Sequence, residues 1–254
     1  MPRNEVMRHM LDENVGVVIG RQGLAVGYNQ LWNLVTISQS ITDFNLFYRG
    51  GGLIAPLCIY PDEHKEDIFT TTERGYNIAP ELMDKLSKLW PQFQPEQLFY
   101  YVYAILHSNQ YRERFAQYLR MDFPRIPFTE DYELFSKLAE IGKELADIHL
   151  LKSPRLSPPL ARYQGSGSND MVEFIKYDQT SGFVQINPDK HFEGITPELW
   201  NYHIGGYQVL HKYLKDRKGK ALADPLHYCR IATALALTID IQVRIDQIIG
   251  TIIQ

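Results

Sequence analysis

The sequence predicts an α+β fold: small β-sheets, a helical middle and a long C-terminal helix. Three observations predict it. The first third alternates β-branched apolar runs with turn residues. The middle carries apolar residues at helical spacing. Near the C-terminus an acidic cap followed by proline, Asp224-Pro225, opens a helical pattern that continues to about Ile249.

The strands come first. VGVVIG (15–20), LWNLVTIS (31–38) and LIAPLCIY (53–60) read as strands, with Gly50, Gly51 and Gly52 turning the chain into the third. The charged segment from Pro61 to Gly75 reads as loop. Helices follow. PELMDKLSKLW (80–90) places Leu82, Leu86 and Leu89 on one face. PEQLFYYVYAILHS (95–108) starts with Pro at its first turn and is apolar nearly all round, as a buried central helix must be. NQYRERFAQYLR (109–120) reads as one helix capped by Asn109. The prolines of MDFPRIPF (121–128) end it, and Thr129 is read as the cap of the longer helix EDYELFSKLAEIGKELADIHLL (130–151).

KSPRLSPPLARYQGSGSND (152–170) is rich in Pro, Ser and Gly and reads as a loop or linker. It divides the chain into a mixed strand-then-helix part (1–151) and a second part (171–254). In the latter, MVEFIKYD (171–178) and GFVQINPD (182–189) make a hairpin, and Thr196-Pro197 opens a short helical turn. The final helix is long for a domain of this size. It serves either as a spacer or docking rod, or as a core helix.

Composition narrows the function classes. The chain has 254 residues, long enough for one large domain or two small ones at roughly 150 residues each. It is 44% hydrophobic and 22% charged, so it can bury an ordinary core. No apolar run is clean enough to span a bilayer, and the polar N-terminus lacks the apolar region of a signal peptide. Two distant cysteines, Cys58 and Cys229, make no disulfide framework and fit a reducing cytoplasm. The net charge of −4 argues against a freestanding, tight, non-specific nucleic-acid binder, but leaves room for a module with one basic face.

Catalytic constellations fail one by one. Ser157-Pro158-Pro159-Leu160 has the letters of the loop with which amino-methyltransferases hold a flipped base, but Leu160 stands where the stacking aromatic belongs. No Gly-rich strand-loop-helix for S-adenosylmethionine accompanies it. Pro61-Asp62-Glu63-His64-Lys65 has the letters of a metal-dependent nuclease motif, but adjacent residues in one loop cannot cage a cation. The eight histidines show no metal-ligand spacing. There is no phosphate loop, nucleophile elbow or dinucleotide fingerprint.

Recognition chemistry remains. Arg21, Gln22, Tyr48, Arg49, Arg74, Tyr76, Asn77, Arg162, Tyr163 and Lys176 stand near strand ends and loops. Arg suits guanine and Asn or Gln suits adenine, so these are base-reading candidates; each also reads as an ordinary surface residue, the commoner case. Lys212, Lys215, Arg217, Lys218 and Lys220 suit phosphates, with spacing of three placing Lys212, Lys215 and Lys218 near one helical face. The same cations are also favourable at a helix C-terminus before Gly219.

WNYHIGGYQVLHKYLKDRKGK (200–220) resembles a signature of the C-terminal specificity region of type ISP restriction–modification enzymes and their relatives. That pattern runs Trp, a spacer, Ile-Gly-Gly-Tyr, then a hydrophobic-basic helix ending Trp-Leu-Lys-Asp-Arg-Lys. Here it is Trp200, Ile204, Gly205, Gly206, Tyr207 and Lys212 to Lys218, with Tyr213 in place of the family's second Trp. APLCIYP (55–61), the stretches 100–128 and 138–151, and Thr238-Ile239 extend the resemblance over nearly the whole chain, more weakly over its first 45 residues.

The resemblance implies a target-recognition module that selects a DNA sequence for a methyltransferase or nuclease located elsewhere. Its partners would be double-stranded DNA and a methyltransferase domain or subunit of the same system. S-adenosylmethionine, ATP and Mg would belong to other parts, with no cofactor, metal or catalytic residue here. Trp200 and Tyr207, with Tyr202, would anchor a helix, Gly205 and Gly206 would allow close backbone packing, and the cations would lie near the DNA backbone. The chain would be a fragment, a truncated product or a separate specificity subunit. Two further readings stay open: a protein-interaction scaffold whose helices dock other subunits, and a catalytic DNA methyltransferase.

Overall fold

The computed structural model describes residues 4–20, 30–47, 51–61 and 74–253. A short helix α1 (Asn4–Met7) precedes strands β1 (Gly16–Gly20), β2 (Val35–Ser38) and β3 (Gly52–Pro56). They form an antiparallel sheet in the order β2-β1-β3. β3 alternates buried and exposed side chains, the pattern of a strand with one covered face. β4 (Cys58–Ile59) pairs with β5 (Gly75–Tyr76) as a separate ribbon.

Helices follow: α2 (Pro80–Leu89), α3 (Pro95–His107), α4 (Asn109–Arg114), α5 (Ala116–Met121) and α6 (Tyr132–His149). Of the expected face of α2, Leu86 is buried while Leu82 and Leu89 stay exposed. α3 is the buried central helix the sequence predicts, with Tyr101, Tyr103, Ala104, Ile105 and Leu106 fully enclosed. It packs so closely on α6 that a Cβ on Gly142 would stand 2.0 Å from the Tyr100 carbonyl oxygen. The rings of Trp90, Tyr101 and Phe135 also pack together at a tilt, Trp90 to Phe135 at 4.7 Å and Tyr101 to Phe135 at 4.9 Å.

Two helix starts differ from the sequence expectation. The segment 109–120 is two helices, because Phe115 leaves helical dihedrals at φ −101° and ψ 17°. Its cap is Ser108 rather than Asn109: the Ser108 hydroxyl accepts from Tyr111 N at 3.0 Å. The next cap is Asp131 rather than Thr129. Its carboxylate accepts from Glu133 N at 2.8 Å and Leu134 N at 3.2 Å, while the Thr129 hydroxyl accepts from Asp131 N at 3.1 Å. In both cases the oxygen nearest the first free N–H groups takes the cap.

The second part holds β6 (Arg162–Gly165), β7 (Lys176–Asp178), β8 (Phe183–Gln185) and β9 (Lys190–Glu193), an antiparallel sheet in the order β6-β9-β8-β7. The expected hairpin is β7–β8. Arg162–Gly165, read within a loop or linker, is instead an edge strand; four residues flanked by Pro, Ser and Gly give too little pattern to reveal it. α7 (Pro197–Trp200), the ribbon β10 (His203–Ile204) and β11 (Tyr207–Gln208), α8 (Val209–Lys215) and α9 (Pro225–Ile249) complete the chain.

α9 starts as expected, the Asp224 side chain accepting from His227 N at 3.2 Å. It is about 38 Å long and is a core helix. Tyr228, Cys229, Ala232 and Leu235 belong to the core under the C-terminal sheet. Ala234, Ile241, Ile245 and Ile249 belong to the core of the N-terminal sheet and α3–α6. One rod therefore joins both cores.

Candidate nucleic-acid interface

The Ile-Gly-Gly-Tyr stretch is the joint between the two parts. β10 and β11 fold back on each other through Gly205 and Gly206. Gly205 sits at φ +56°, and a Cβ there would stand 2.9 Å from the Phe47 carbonyl oxygen and 3.0 Å from Leu34. The close backbone approach expected of these glycines is thus made by Gly205, while Gly206 is exposed. Asn33 closes the joint from the N-terminal side, donating to His203 O at 2.8 Å and accepting from Gly205 N at 3.0 Å. Trp200 stacks on Tyr177 at 4.8 Å and meets His211 of α8 edge-on at 5.8 Å. The Lys212 ammonium lies 5.0 Å from the Tyr207 ring centre.

A cavity of about 210 Å³ lies behind the joint, lined among others by Asn33, His107, Arg112, His149 and Tyr202. Asn33, His107, Arg112 and His149 are tied into the fold. The Thr238 hydroxyl donates to Ala234 O, so it accepts from His149 Nε2–H at 2.8 Å, and His149 Nδ1 accepts from the Tyr103 hydroxyl at 2.6 Å. His107 Nδ1–H donates to Tyr103 O at 2.8 Å, and Arg112 Nε–H to Leu106 O at 2.8 Å. Burial, with Arg112 nearby, holds His149 down at about 4 and His107 well below the ordinary histidine range. Nothing in the sequence pattern marks this junction or Gly142. Histidines far apart in sequence and a glycine inside a helix acquire meaning only when the helices meet.

The base-reading candidates separate into groups. Arg21, Gln22, Tyr48 and Arg49 lie outside the described residues, as do residues 62–65 of the charged loop. Arg74 is exposed but hydrogen-bonded to Tyr60; the Tyr76 hydroxyl donates to Glu96 and the Asn77 amide donates to Pro56 O at 2.9 Å. Tyr163 faces inward, its ring 4.8 Å from Phe192 and its hydroxyl donating to Asp170 at 2.7 Å. Arg162 and Lys176 point outward, Arg162 making only a loose contact with Glu193 at 3.4 Å.

The cation cluster is not one helical face, because α8 ends at Lys215 and Lys218 lies in the turn beyond. Lys212 pairs with Asp216, and the Arg217 guanidinium lies 3.6 Å from the Tyr213 ring centre while donating to Tyr213 O at 3.0 Å. Lys215, Lys218 and Lys220 are exposed.

Among the described residues, no group of three or more His, Cys, Asp or Glu is arranged to hold a metal ion. No described helix is long and apolar enough to cross a membrane. Both cysteines are buried and free, and burial pushes their thiols up, Cys229 to about 11.

Known proteins resemble this arrangement. The ATP-dependent Type ISP restriction–modification enzyme LlaBIII bound to DNA superposes with a TM-score of 0.67 at 20% identity, over 93% of this chain and 16% of that one. The DrdV–DNA complex gives 0.66 at 22% identity, over 97% of this chain and 25% of that one. A nuclease-deletion mutant of the Type ISP enzyme LlaGI with a DNA substrate mimic gives 0.61 at 19%, over 93% and 18%. The chain thus spans a quarter or less of the length of these proteins, and the likeness is one of fold. No curated protein sequence matches it. The family model of the Type ISP C-terminal specificity domain matches residues 1–238, and the chain belongs to that family.

Proposed function

We propose that this chain is the DNA sequence-recognition module of a Type ISP-like restriction–modification enzyme, reading the target for a methyltransferase and nuclease carried elsewhere. The observation that carries this reading is the family match over residues 1–238. The likeness of fold to enzymes held in DNA complexes supports it, as do outward Arg, Lys and Gln side chains suited to base edges. In this reading the chain performs no chemistry. S-adenosylmethionine, ATP and Mg act in neighbouring parts, and the partners are double-stranded DNA and the methyltransferase domain or subunit, in the cytoplasm. With a net charge of −4 the module neutralises few phosphates, so its own affinity is low and falls steeply with salt.

One surface favours a docking role for other subunits beside this. Tyr118 and Met121 on α5 are 66% and 68% exposed and border an aromatic cleft.

The test is selection from a randomised duplex library at low salt, followed by sequencing of the retained DNA. An enriched short motif is expected. Absence of a motif, both in this chain and in the chain joined to its methyltransferase neighbour, would leave only the docking role.

A further inference from the structure

The register of the C-terminal sheet aligns side chains that the sequence scatters. β6 meets β9 with Tyr163 opposite Phe192 and Gln164 opposite His191. β9 meets β8 with Phe192 opposite Val184 and His191 opposite Gln185. β8 meets β7 with Val184 opposite Tyr177 and Gln185 opposite Lys176. Two rows therefore cross all four strands. Tyr163–Phe192–Val184–Tyr177 faces the core, with Phe192 and Val184 fully buried. Side chains alternate along a strand, so Gln164–His191–Gln185–Lys176 forms a polar row on the opposite face. Gln164 and Lys176 are exposed, and His191 and Gln185 half-buried. Arg162 and Phe183 share that face, and Phe183 stacks on His191 at 4.5 Å.

The chemistry of the row exceeds what solubility requires. Among the described residues, neither the Gln164 nor the Gln185 carboxamide has a hydrogen-bond partner, and no carboxylate lies within ion-pair distance of Lys176. The two carboxylates of the face are already engaged. Glu193 meets His191 at 3.2 Å and Arg162 at 3.4 Å, and Asp178 accepts from Thr180 N at 2.9 Å. What stays available is two amides and an amine beside an aromatic ring, with the Arg162 guanidinium paired to Glu193 at the edge. Glutamine pairs bidentately with adenine, Lys and Arg with guanine, and an apolar ring contacts the thymine methyl.

Size fits as well. Four strands at ~4.8 Å spacing give a row about 14 Å long. That is the rise of roughly four base pairs at 3.4 Å each. Strands of three or four residues, about 10–13 Å, match a major groove about 12 Å wide, so the row runs along the groove. The exposed Lys218 and Lys220 sit against the segment leading into β7, where Val172 N donates to Lys220 O at 3.0 Å and Gly219 N to Val172 O at 2.8 Å. Phosphate-suited cations thus stand beside the chain entering the sheet, whose outward face offers readout more than affinity.

We infer that the outward face of the β6-β9-β8-β7 sheet is the base-reading surface of this chain. Gln164, Gln185 and Lys176 are its specificity-determining residues, His191 is a positioning residue between the two glutamines, and the major groove of duplex DNA is the ligand. This rests on the recognition function proposed above, and the test separates the two. The whole chain and its Gln164→Ala/Gln185→Ala variant are selected on the same randomised duplex library, with thermal unfolding as a control for folding. The expected result is a motif in the parent and, in the variant, loss of preference at up to two positions about three base pairs apart, because β9 separates the two glutamines. Discrimination there falls about tenfold or more, and the salt dependence of binding is unchanged. A parent motif that the variant retains at every position overturns the inference and leaves the recognition function standing. A parent that enriches no motif overturns both. If the double variant unfolds, Lys176→Ala, at an exposed edge-strand position, decides by the same readout.

Discussion

Around the N-terminal sheet and its helices, polar side chains turn inward and are consumed by the fold. Across the C-terminal sheet, a row of them turns outward with its carboxamides uncommitted among the described residues. Tyr103, His149 and Thr238 spend their hydrogen bonds on one another and on Ala234 O, joining α3, α6 and α9. Buried polar groups must be satisfied, so such a chain admits one arrangement of the three helices and leaves nothing for a ligand. Gln164 and Gln185 hold no element in place. The difference teaches where to look for each property: stability and geometry in the first part, discrimination between ligands in the second.

The largest expected effect lies in the first part. Gly142→Leu forces α3 and α6 apart, since even a Cβ meets the Tyr100 carbonyl oxygen at 2.0 Å. The loss should be about 3 kcal/mol or more, seen as a fall in Tm of about 6–12 °C. A variant as stable as the parent would break the claim that this contact is rigid.

Acid comes next. His149 titrates at about 4 in the folded chain and near 6.5 in the unfolded one. Between those values the unfolded state binds more protons, so stability present above about pH 6.5 falls as pH drops toward 4, by about 3 kcal/mol for this residue. Urea midpoints measured from pH 7 to pH 4 should show the fall. His149→Phe should make it shallower, His107 keeping its own share of the fall, while costing about 1–3 kcal/mol at pH 7, because the Tyr103 hydroxyl loses its acceptor.

Gly205→Val probes the joint between the two parts. It combines strain at φ +56° with a contact 2.9 Å from Phe47 O, for about 1–3 kcal/mol. Thermal scans should show it, and a broadened or split transition would mean that the two cores have begun to unfold separately. Smallest in stability is Lys218→Ala, within about 0.5 kcal/mol of the parent. Its effect belongs to binding: similar weakening on all sequences and a salt slope lower by about one. A change of sequence preference instead would shift Lys218 from phosphate contact to base reading.

Elements with strong local signals are legible in the amino-acid sequence. α3 and α9 announce themselves by Pro at the first turn and, in α9, by an acidic cap that the fold keeps. Short strands are not legible in this way. β6 hides among Pro, Ser and Gly, and its side chains gain a face only when β9 pairs with it. The same limit blurs the candidate site: Arg162, Tyr163 and Lys176 look alike in sequence, yet pairing turns Tyr163 to the core and the other two outward. Caps slip by one or two residues because several adjacent oxygens compete for the same N–H groups, and geometry alone chooses.

By itself, the sequence determined the α+β class, the order of the main helices and the family, because periodicity, turn chemistry and the Ile-Gly-Gly-Tyr signature are local patterns. The tertiary structure alone decided that Gly205 is the joint, that α9 serves two cores and that four polar residues from four strands make one row. The physical reason is that burial, close approach and strand register are relations between distant residues, created only when the chain folds.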